Sequence, residues 1–204
     1  MNATWSDVRG LVDRLTLELC RTAHPLPSRE MCELLIVGED HRFWSHCGVD
    51  FWALARALFQ TLVLGSPQGG STIAMQLVRT LTRRYERTLA RKFMEIALAI
   101  RLTRYVGRDR IPTLYLWVAY YGWRMNDLQQ ACVRLSVEPC STDRFKLARF
   151  VARLKYPEPR RVSTNRLASI QRRMHYLVRL HDRNTREDGE HPWKRFEYQV
   201  RLEG

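Results

Sequence analysis

The chain has 204 residues, enough for one well-filled hydrophobic core, and 34 Lys and Arg against 21 Asp and Glu give it a formal net charge of +13 at pH 7. That surplus favours an anionic partner, and nucleic acid, anionic lipid and pyrophosphate all fit this description. Five widely spaced cysteines without a CxxC or CxxH pair argue against a structural zinc site. The composition predicts a mainly α-helical fold, because the chain has many Leu and Arg, few Gly and Pro, and only short runs of β-branched residues.

Apolar residues at helical spacing predict an amphipathic helix near the N-terminus, which ends before the two prolines of HPLPS at 24–28. Charged residues interrupt this segment, so we expect neither a signal peptide nor a transmembrane helix in it. We assign residues 1–27 to this helix and a linker.

Ser28 is the predicted N-cap of the next helix, which stops near Gly38. Two acids, Glu39 and Asp40, follow directly, and they open a polar and aromatic stretch, EDHRFWSHCGVD at 39–50. A carboxylate at a helix C-terminus faces the negative end of the helix dipole, which disfavours its charged form. Glu39 is therefore a candidate for proton transfer.

Residues 51–65, FWALARALFQTLVLG, predict an almost continuously apolar helix that is too short and too charged to cross a bilayer. It is either a core helix or a segment in the membrane interface, with Phe51 and Trp52 at the level of the headgroups. The following loop opens a helix at Ser71 or Thr72, where free backbone N–H groups favour an anion. No GK[ST] follows its glycines, so this is not a P-loop.

Residues 88–104 predict a long helix on which Glu95 shares a face with Arg91 and Lys92. Apolar residues on both sides of this helix predict that it is buried, which makes Glu95 a partly buried carboxylate beside two cations. The alternative is an ordinary surface ion pair with Arg91, worth about 0.3–0.5 kcal/mol.

Pro112 begins another apolar helix, two short helices follow between about 126 and 155, and an amphipathic helix covers 163–183. We interpret the arginines of this last helix as a solvated face. Residues 184–204 form a polar C-terminal tail.

Three motifs in this order resemble signatures of the peptidoglycan glycosyltransferases, family 51 of the glycosyltransferases. EDHRFWSHCGVD at 39–50 resembles the first signature, GGSTIAMQL at 69–77 the second and RKFME at 91–95 the third. The similarity extends from about residue 28 to 175. On this resemblance, 28–183 is a glycosyltransferase domain with a lysozyme-like, two-lobed helical fold and a small lobe that faces the membrane.

The resemblance also implies polymerisation of lipid II into glycan strands. Glu39 would be the general base for the acceptor hydroxyl, and Glu95 would lie in the donor site and help to organise the pyrophosphate. The other residues implied in substrate binding are Asp40, Phe43, His46, Ser71, Thr72, Gln76, Arg79, Arg91 and Lys92. From its residue type and position, we expect His46 to have a structural hydrogen-bonding role.

As partners the resemblance implies lipid II, the growing glycan strand, the membrane surface and other cell-wall synthesis proteins. As a cofactor it allows a divalent cation, Mg²⁺ or Mn²⁺, at the pyrophosphate. The implied location is the periplasmic face of the bacterial inner membrane. Five residues depart from the family's usual signatures, and we interpret most of them as supporting positions: Met75, Thr80, Thr103, Thr113 and Trp117.

Three other interpretations remain. A degenerate family member would bind lipid II or a cell-wall partner without turnover. A lytic enzyme on the same scaffold would release soluble muropeptides and would need neither the 69–72 loop nor the Arg91–Lys92 pair. A basic nucleic-acid-binding module is the third, but dispersed arginines and the lack of a recognised fold signature argue against it, and we expect no nucleic-acid partner.

Overall fold

The computed structural model describes residues 4–65, 69–86 and 88–187, and most of this part of the chain is α-helical. It contains no β-sheet, only isolated bridges at Gly122, so the predicted mainly α fold is confirmed. A 3₁₀ turn, Phe43–Ser45, joins the second helix to the third. The α-helices are α1 Trp5–Arg21, α2 Arg29–Glu39, α3 Phe51–Val63, α4 Ile73–Thr82, α5 Leu89–Val106, α6 Ile111–Val118, α7 Leu128–Leu135, α8 Arg144–Lys155 and α9 Thr164–Glu187.

Polar side chains begin α2 and α4 at the predicted places. Ser28 Oγ accepts a hydrogen bond from the Met31 amide at 3.2 Å, and Thr72 Oγ1 accepts one from the Met75 amide at 3.3 Å. Each cap satisfies an amide that the helix itself leaves free, which is worth roughly 0.5–2 kcal/mol. Helix α2 continues one residue past Gly38 and includes Glu39 as its last residue.

Helix α4 lies at the centre of the packing. It contacts α1, α5 and α6, while α2 contacts α6, α8 and α9. Half of α4 is buried, namely Ile73, Ala74, Met75, Leu77 and Val78. The polar residues of α4 therefore occupy its remaining face, toward the end of α2 and the start of α5.

Helix α3 is not a core helix, so that interpretation of residues 51–65 is wrong. Only Ala57 of this helix is buried, whereas Trp52 and Leu62 are 70% and 74% exposed. We call the exposed apolar side chains of this helix, together with its C-cap Leu64, the α3 surface: Phe51, Trp52, Leu58, Phe59, Leu62, Val63 and Leu64. None of the helices in the described ranges is long and apolar enough to cross a membrane.

Helix α5 is buried along one side only, which corrects the prediction that both sides are covered. Its buried residues are Glu95, Leu98, Ala99, Leu102 and Thr103, while Leu89 and Phe93 are exposed. Helix α9 continues to Glu187, four residues past the predicted end at 183. Residues 188–204 of the predicted tail lie outside the described residues, and the division of the chain at 27/28 and 183/184 stays a prediction.

Candidate active site

Glu39 ends α2, where the helix dipole disfavours a negative charge. Arg173 of α9 counteracts this effect, because its Nη2 donates to Glu39 Oε1 at 2.9 Å. On the other side, Gln76 Nε2 lies 3.5 Å from Glu39 Oε2. The Glu39 side chain is 20% exposed. Its carboxylate is therefore held by two neighbours and is still partly open to solvent.

Gln76 owes its orientation to Tyr115 of α6. The Tyr115 hydroxyl donates to Gln76 Oε1 at 2.8 Å, so the amide presents its N–H group to Glu39. Burial, together with the nearby Glu39 carboxylate, raises the pKa of Tyr115, which keeps the phenol protonated as a donor. These three side chains form a chain of hydrogen bonds from α6 through α4 to α2.

Both oxygens of Asp40 are engaged inside the protein. Oδ1 lies 2.9 Å from His46 Nε2, and Oδ2 accepts from the Ile73 amide at 3.2 Å. His46 Nδ1 accepts from the Gly48 amide at 3.1 Å, so Nδ1 carries no proton and Nε2 is the donor to Asp40. His46 is thus a neutral imidazole that links Asp40 to the loop before α3. Together these bonds hold the end of α2 against the start of α4.

Gly48 lets this loop approach α5 closely. Its φ is +103°, and a Cβ at this position would lie 2.7 Å from the carbonyl oxygen of Ala99. Any larger residue would therefore be strained and would also collide with α5. Thr72 Oγ1 donates to the Gly48 carbonyl oxygen at 2.6 Å and so joins the loop to the N-terminus of α4.

Phe43 is fully buried and packs edge-on against Trp44 and His46. Phe43, Asp40, His46 and Thr72 therefore make their observed contacts within the protein. These contacts set the positions of the α2 and α4 ends, and a direct contact of any of the four with substrate stays a prediction.

Glu95 of α5 is only 3% exposed and is surrounded by three cations. Arg79 binds it with two nitrogens, Nη2 to Oε1 at 2.7 Å and Nε to Oε2 at 3.3 Å. Arg91 donates to Oε2, and Lys92 Nζ lies 3.4 Å from Oε1. We call these four residues the Glu95 cluster. Glu95 is therefore not part of an ordinary surface ion pair with Arg91, and that interpretation is wrong. Arg79 is a third cation beside Glu95, in addition to the two that helical spacing predicted.

The Glu95 cluster carries two positive charges in excess of its single carboxylate. Burial lowers the pKa of Lys92, and Arg79 and Arg91 act in the same direction, while Glu95 opposes them. Ser71 Oγ accepts from Lys92 Nζ at 2.9 Å and from Arg79 Nη2 at 3.2 Å. Crowded cations that share one carboxylate are suited to bind an anion with several oxygens, such as a phosphate group.

A divalent cation bound directly to Glu95 does not fit these residues. Each oxygen of Glu95 already accepts from two cationic nitrogens, and Mg²⁺ or Mn²⁺ there would lie among three positive charges. In the part of the chain that the structure describes, no group of three or more His, Cys, Asp or Glu could hold a metal ion. The three side chains supply the positive charge that a metal would bring.

Helix α4 connects Glu39 to the Glu95 cluster. Gln76, which faces Glu39, and Arg79, which binds Glu95, are three residues apart and so lie on the same side of the helix, with Cβ atoms about 5–6 Å apart. The two carboxylates are therefore linked through neighbouring residues on one side of α4. Ser71, just before α4, accepts hydrogen bonds from Arg79 and Lys92.

The interpretation of the α9 arginines as a solvated face is wrong for Arg173. It lies on the inner side of α9, where it contacts Glu39 and the Gly38 carbonyl oxygen. The sequence does contain a signal for this position, since Arg173 falls at helical spacing between Ile170 and Leu177, both buried. A charged residue within an apolar stripe indicates a buried partner. Tyr115 was also missed as a site residue, because it lies within an apolar run.

Four of the five departures from the family's signatures are buried, and Thr80 is partly buried. Met75 packs in the core, and Thr103 Oγ1 donates to the Ala99 carbonyl oxygen within α5. Trp117 Nε1 donates to Glu18 Oε1 of α1 at 2.9 Å. Among the described contacts, these residues support the helices that carry the site and do not line its surface.

Comparisons with known proteins agree with this architecture. The family model described as Transglycosylase matches residues 21–181. Penicillin-binding protein 1A of Escherichia coli (strain K12) is 44% identical over 96 residues, 47% of this chain and 11% of the relative. Penicillin-binding protein 1A of Neisseria gonorrhoeae is 41% identical over 91 residues, 44% and 11% of the two chains. Penicillin-binding protein 1F of Bacillus subtilis (strain 168) is 33% identical over 104 residues, 50% and 15%. The match thus spans only a small part of each relative.

Proposed function

Because the chain belongs to the transglycosylase family of peptidoglycan glycosyltransferases, we propose that it polymerises lipid II into glycan strands and releases undecaprenyl pyrophosphate. The arrangement along α4 carries this proposal: a substrate-accessible carboxylate at Glu39 lies on the same side of the helix as the cationic Glu95 cluster. Transfer of a sugar from a pyrophosphate to a hydroxyl requires one group that removes a proton and others that neutralise the departing charge.

Glu39 is the general base of this reaction. The 4-hydroxyl of the acceptor sugar gives its proton to the Glu39 carboxylate while its oxygen attacks the anomeric carbon of the growing strand. The bond from that carbon to the pyrophosphate oxygen breaks, its electron pair leaves with the pyrophosphate, and the configuration at the anomeric carbon is inverted. Arg173 and Gln76 support this role because both contact the carboxylate and hold it at the end of α2.

Arg79, Arg91 and Lys92 bind the pyrophosphate and stabilise the negative charge that grows on it as it leaves. Fixed donors of this kind typically contribute about 10²–10³-fold each to the rate. Glu95 holds the three cations at short range and reduces their mutual repulsion before substrate arrives. It takes no part in proton transfer, since both of its oxygens are occupied.

The α3 surface and the exposed Leu89 and Phe93 of α5 provide an apolar surface for the membrane and the polyprenyl chain. A lipid-linked substrate reaches an active site only if that site lies close to the bilayer. The proposed location is accordingly the periplasmic face of the bacterial inner membrane, with lipid II and the growing strand as substrates.

Replacing Phe59 and Leu62 together with Gln should weaken binding to vesicles of phosphatidylglycerol and phosphatidylcholine by about tenfold or more, since each buried apolar side chain contributes about 1.5–3 kcal/mol. Co-sedimentation with the vesicles measures this. Val133 is 81% exposed on α7 and provides the control, because Val133→Gln should leave vesicle binding unchanged. Equal binding of the double variant and the wild type would contradict a membrane role for α3.

The test of the proposed function is incubation of the purified chain with fluorescent lipid II in detergent, followed by gel separation of the products. Glycan polymer supports the proposal. Bound lipid II without polymer would identify a degenerate member of the family. Soluble muropeptides released from intact sacculi would instead identify a lytic enzyme.

A further inference from the structure

The ion pair between Arg173 and Glu39 is largely enclosed by the protein. The Arg173 side chain is 10% exposed, and one nitrogen, Nη2, donates both to Glu39 Oε1 at 2.9 Å and to the Gly38 carbonyl oxygen at 2.6 Å. The guanidinium carbon also lies 5.2 Å from the centre of the Tyr176 ring. Arg173 is therefore held by Tyr176 of α9 and by the backbone of α2 as well as by the carboxylate.

Gly38 makes this approach of α9 possible. A Cβ on Gly38 would lie 2.4 Å from Leu177 Cδ2 and 3.2 Å from Arg173 Nη2. A side chain at position 38 would thus push away both residues that face the last turn of α2. The glycine next to the base is required for close packing against α9 and not for a special backbone angle.

The two oxygens of Glu39 have unequal surroundings. Oε1 accepts a short charge-assisted bond from Arg173, whereas Oε2 has only the Gln76 amide at 3.5 Å, at the limit of a hydrogen bond. Oε2 is also the oxygen on the α4 side, where Gln76 and Arg79 lie on one side of the helix. A proton arriving from a substrate on that side of α4 would meet Oε2.

We infer that Arg173 is a positioning residue for glycosyl transfer, which holds Oε1 of Glu39 so that Oε2 accepts the proton of the acceptor hydroxyl. This inference rests on the proposed function. Without Arg173 the carboxylate can rotate, and it meets the negative end of the α2 dipole with no cation bound to it. The bond that breaks is the O–H bond of the acceptor, and the bond that forms is Oε2–H, as the acceptor oxygen bonds to the anomeric carbon.

Within residues 4–65, 69–86 and 88–187, Arg173 is the cation that contacts Glu39 directly. From α4, Gln76 is uncharged and Arg79 is bound to Glu95, while Tyr115 of α6 stays protonated. The adjacent Asp40 is bound to His46 and to the amide of Ile73. Removal of the Arg173 guanidinium should consequently change the position of the Glu39 carboxylate more than the loss of any of these neighbours.

Steady-state polymerisation by Arg173→Met should show kcat lowered by up to about a hundredfold, with KM for lipid II changed by less than about twofold. Arg173→Lys keeps the charge but not the two-sided contact, so it should recover part of the lost kcat. The neighbouring Arg172, whose recorded partner is Ser169, provides the control, and Arg172→Met should match the wild type.

A second measurement needs no turnover. Crystal structures without substrate should show the Glu39 carboxylate displaced in Arg173→Met and in its wild-type position in Arg172→Met. Wild-type protein that makes no polymer, together with this displacement in Arg173→Met, would remove the proposed function and leave the pairing intact. A wild-type kcat in Arg173→Met, or a Glu39 carboxylate that keeps its position without Arg173, would overturn the inference.

Discussion

Replacing Glu39 with Gln is expected to lower kcat for lipid II polymerisation by about 10²–10⁴-fold, the usual contribution of a general base. The amide has nearly the same shape and can still accept from Arg173, so the fold and the pairing with α9 should persist. What it cannot do is accept a proton at neutral pH. The measurement is the initial rate of polymer formation, alongside thermal unfolding of the same preparation.

Glu138→Gln is a suitable control, since Glu138 is an exposed carboxylate on the loop after α7. It should polymerise lipid II at the wild-type rate. A Glu39→Gln protein that is folded, binds lipid II and retains more than about a tenth of the wild-type kcat would show that another group removes the proton.

Replacing Glu95 with Gln is expected to lower the free energy of unfolding by roughly 3–5 kcal/mol, because it removes the counter-charge from three clustered cations in a largely buried site. The loss is smaller if Arg79 and Lys92 swing into solvent, to which about a quarter of each side chain is already exposed. Urea unfolding measures the change. Inorganic pyrophosphate should stabilise the variant, because it binds only the folded protein.

The exposed pair between Arg9 and Asp13 provides the comparison for this second prediction. Asp13→Asn should cost less than about 1 kcal/mol, as expected for solvent-exposed ion pairs. If Glu95→Gln were as stable as Asp13→Asn, then Glu95 would not be the residue that holds the cations together. If pyrophosphate had no effect on the unfolding of the variant, the three cations alone would not form a pyrophosphate site.

Features set by neighbours in the sequence could be predicted. The caps at Ser28 and Thr72, the position of Glu39 at the end of α2 and the pairing of Arg91 and Lys92 with Glu95 all follow from spacing within one helix or turn. Resemblance to the family added the role of Arg79, which reaches Glu95 from another helix.

Features that depend on packing between distant segments could not be predicted in this way. Arg173 is 134 residues from Glu39, and only the packing of α9 on α2 brings them together. The exposure of α3 has a similar cause, since an apolar helix has the same sequence whether a protein core or a membrane covers it. For α3, hydrophobicity predicted the helix but not the surface that covers its apolar side chains.

The central claim is that Glu39 and the Glu95 cluster serve a single reaction along α4. A crystal structure of the Glu39→Gln protein with lipid II tests it directly. We expect pyrophosphate oxygens within hydrogen-bond distance of Arg79, Arg91 or Lys92, and a sugar 4-hydroxyl about 2.6–3.2 Å from the side chain at position 39. Pyrophosphate bound away from α4, with no sugar near position 39, would contradict the claim.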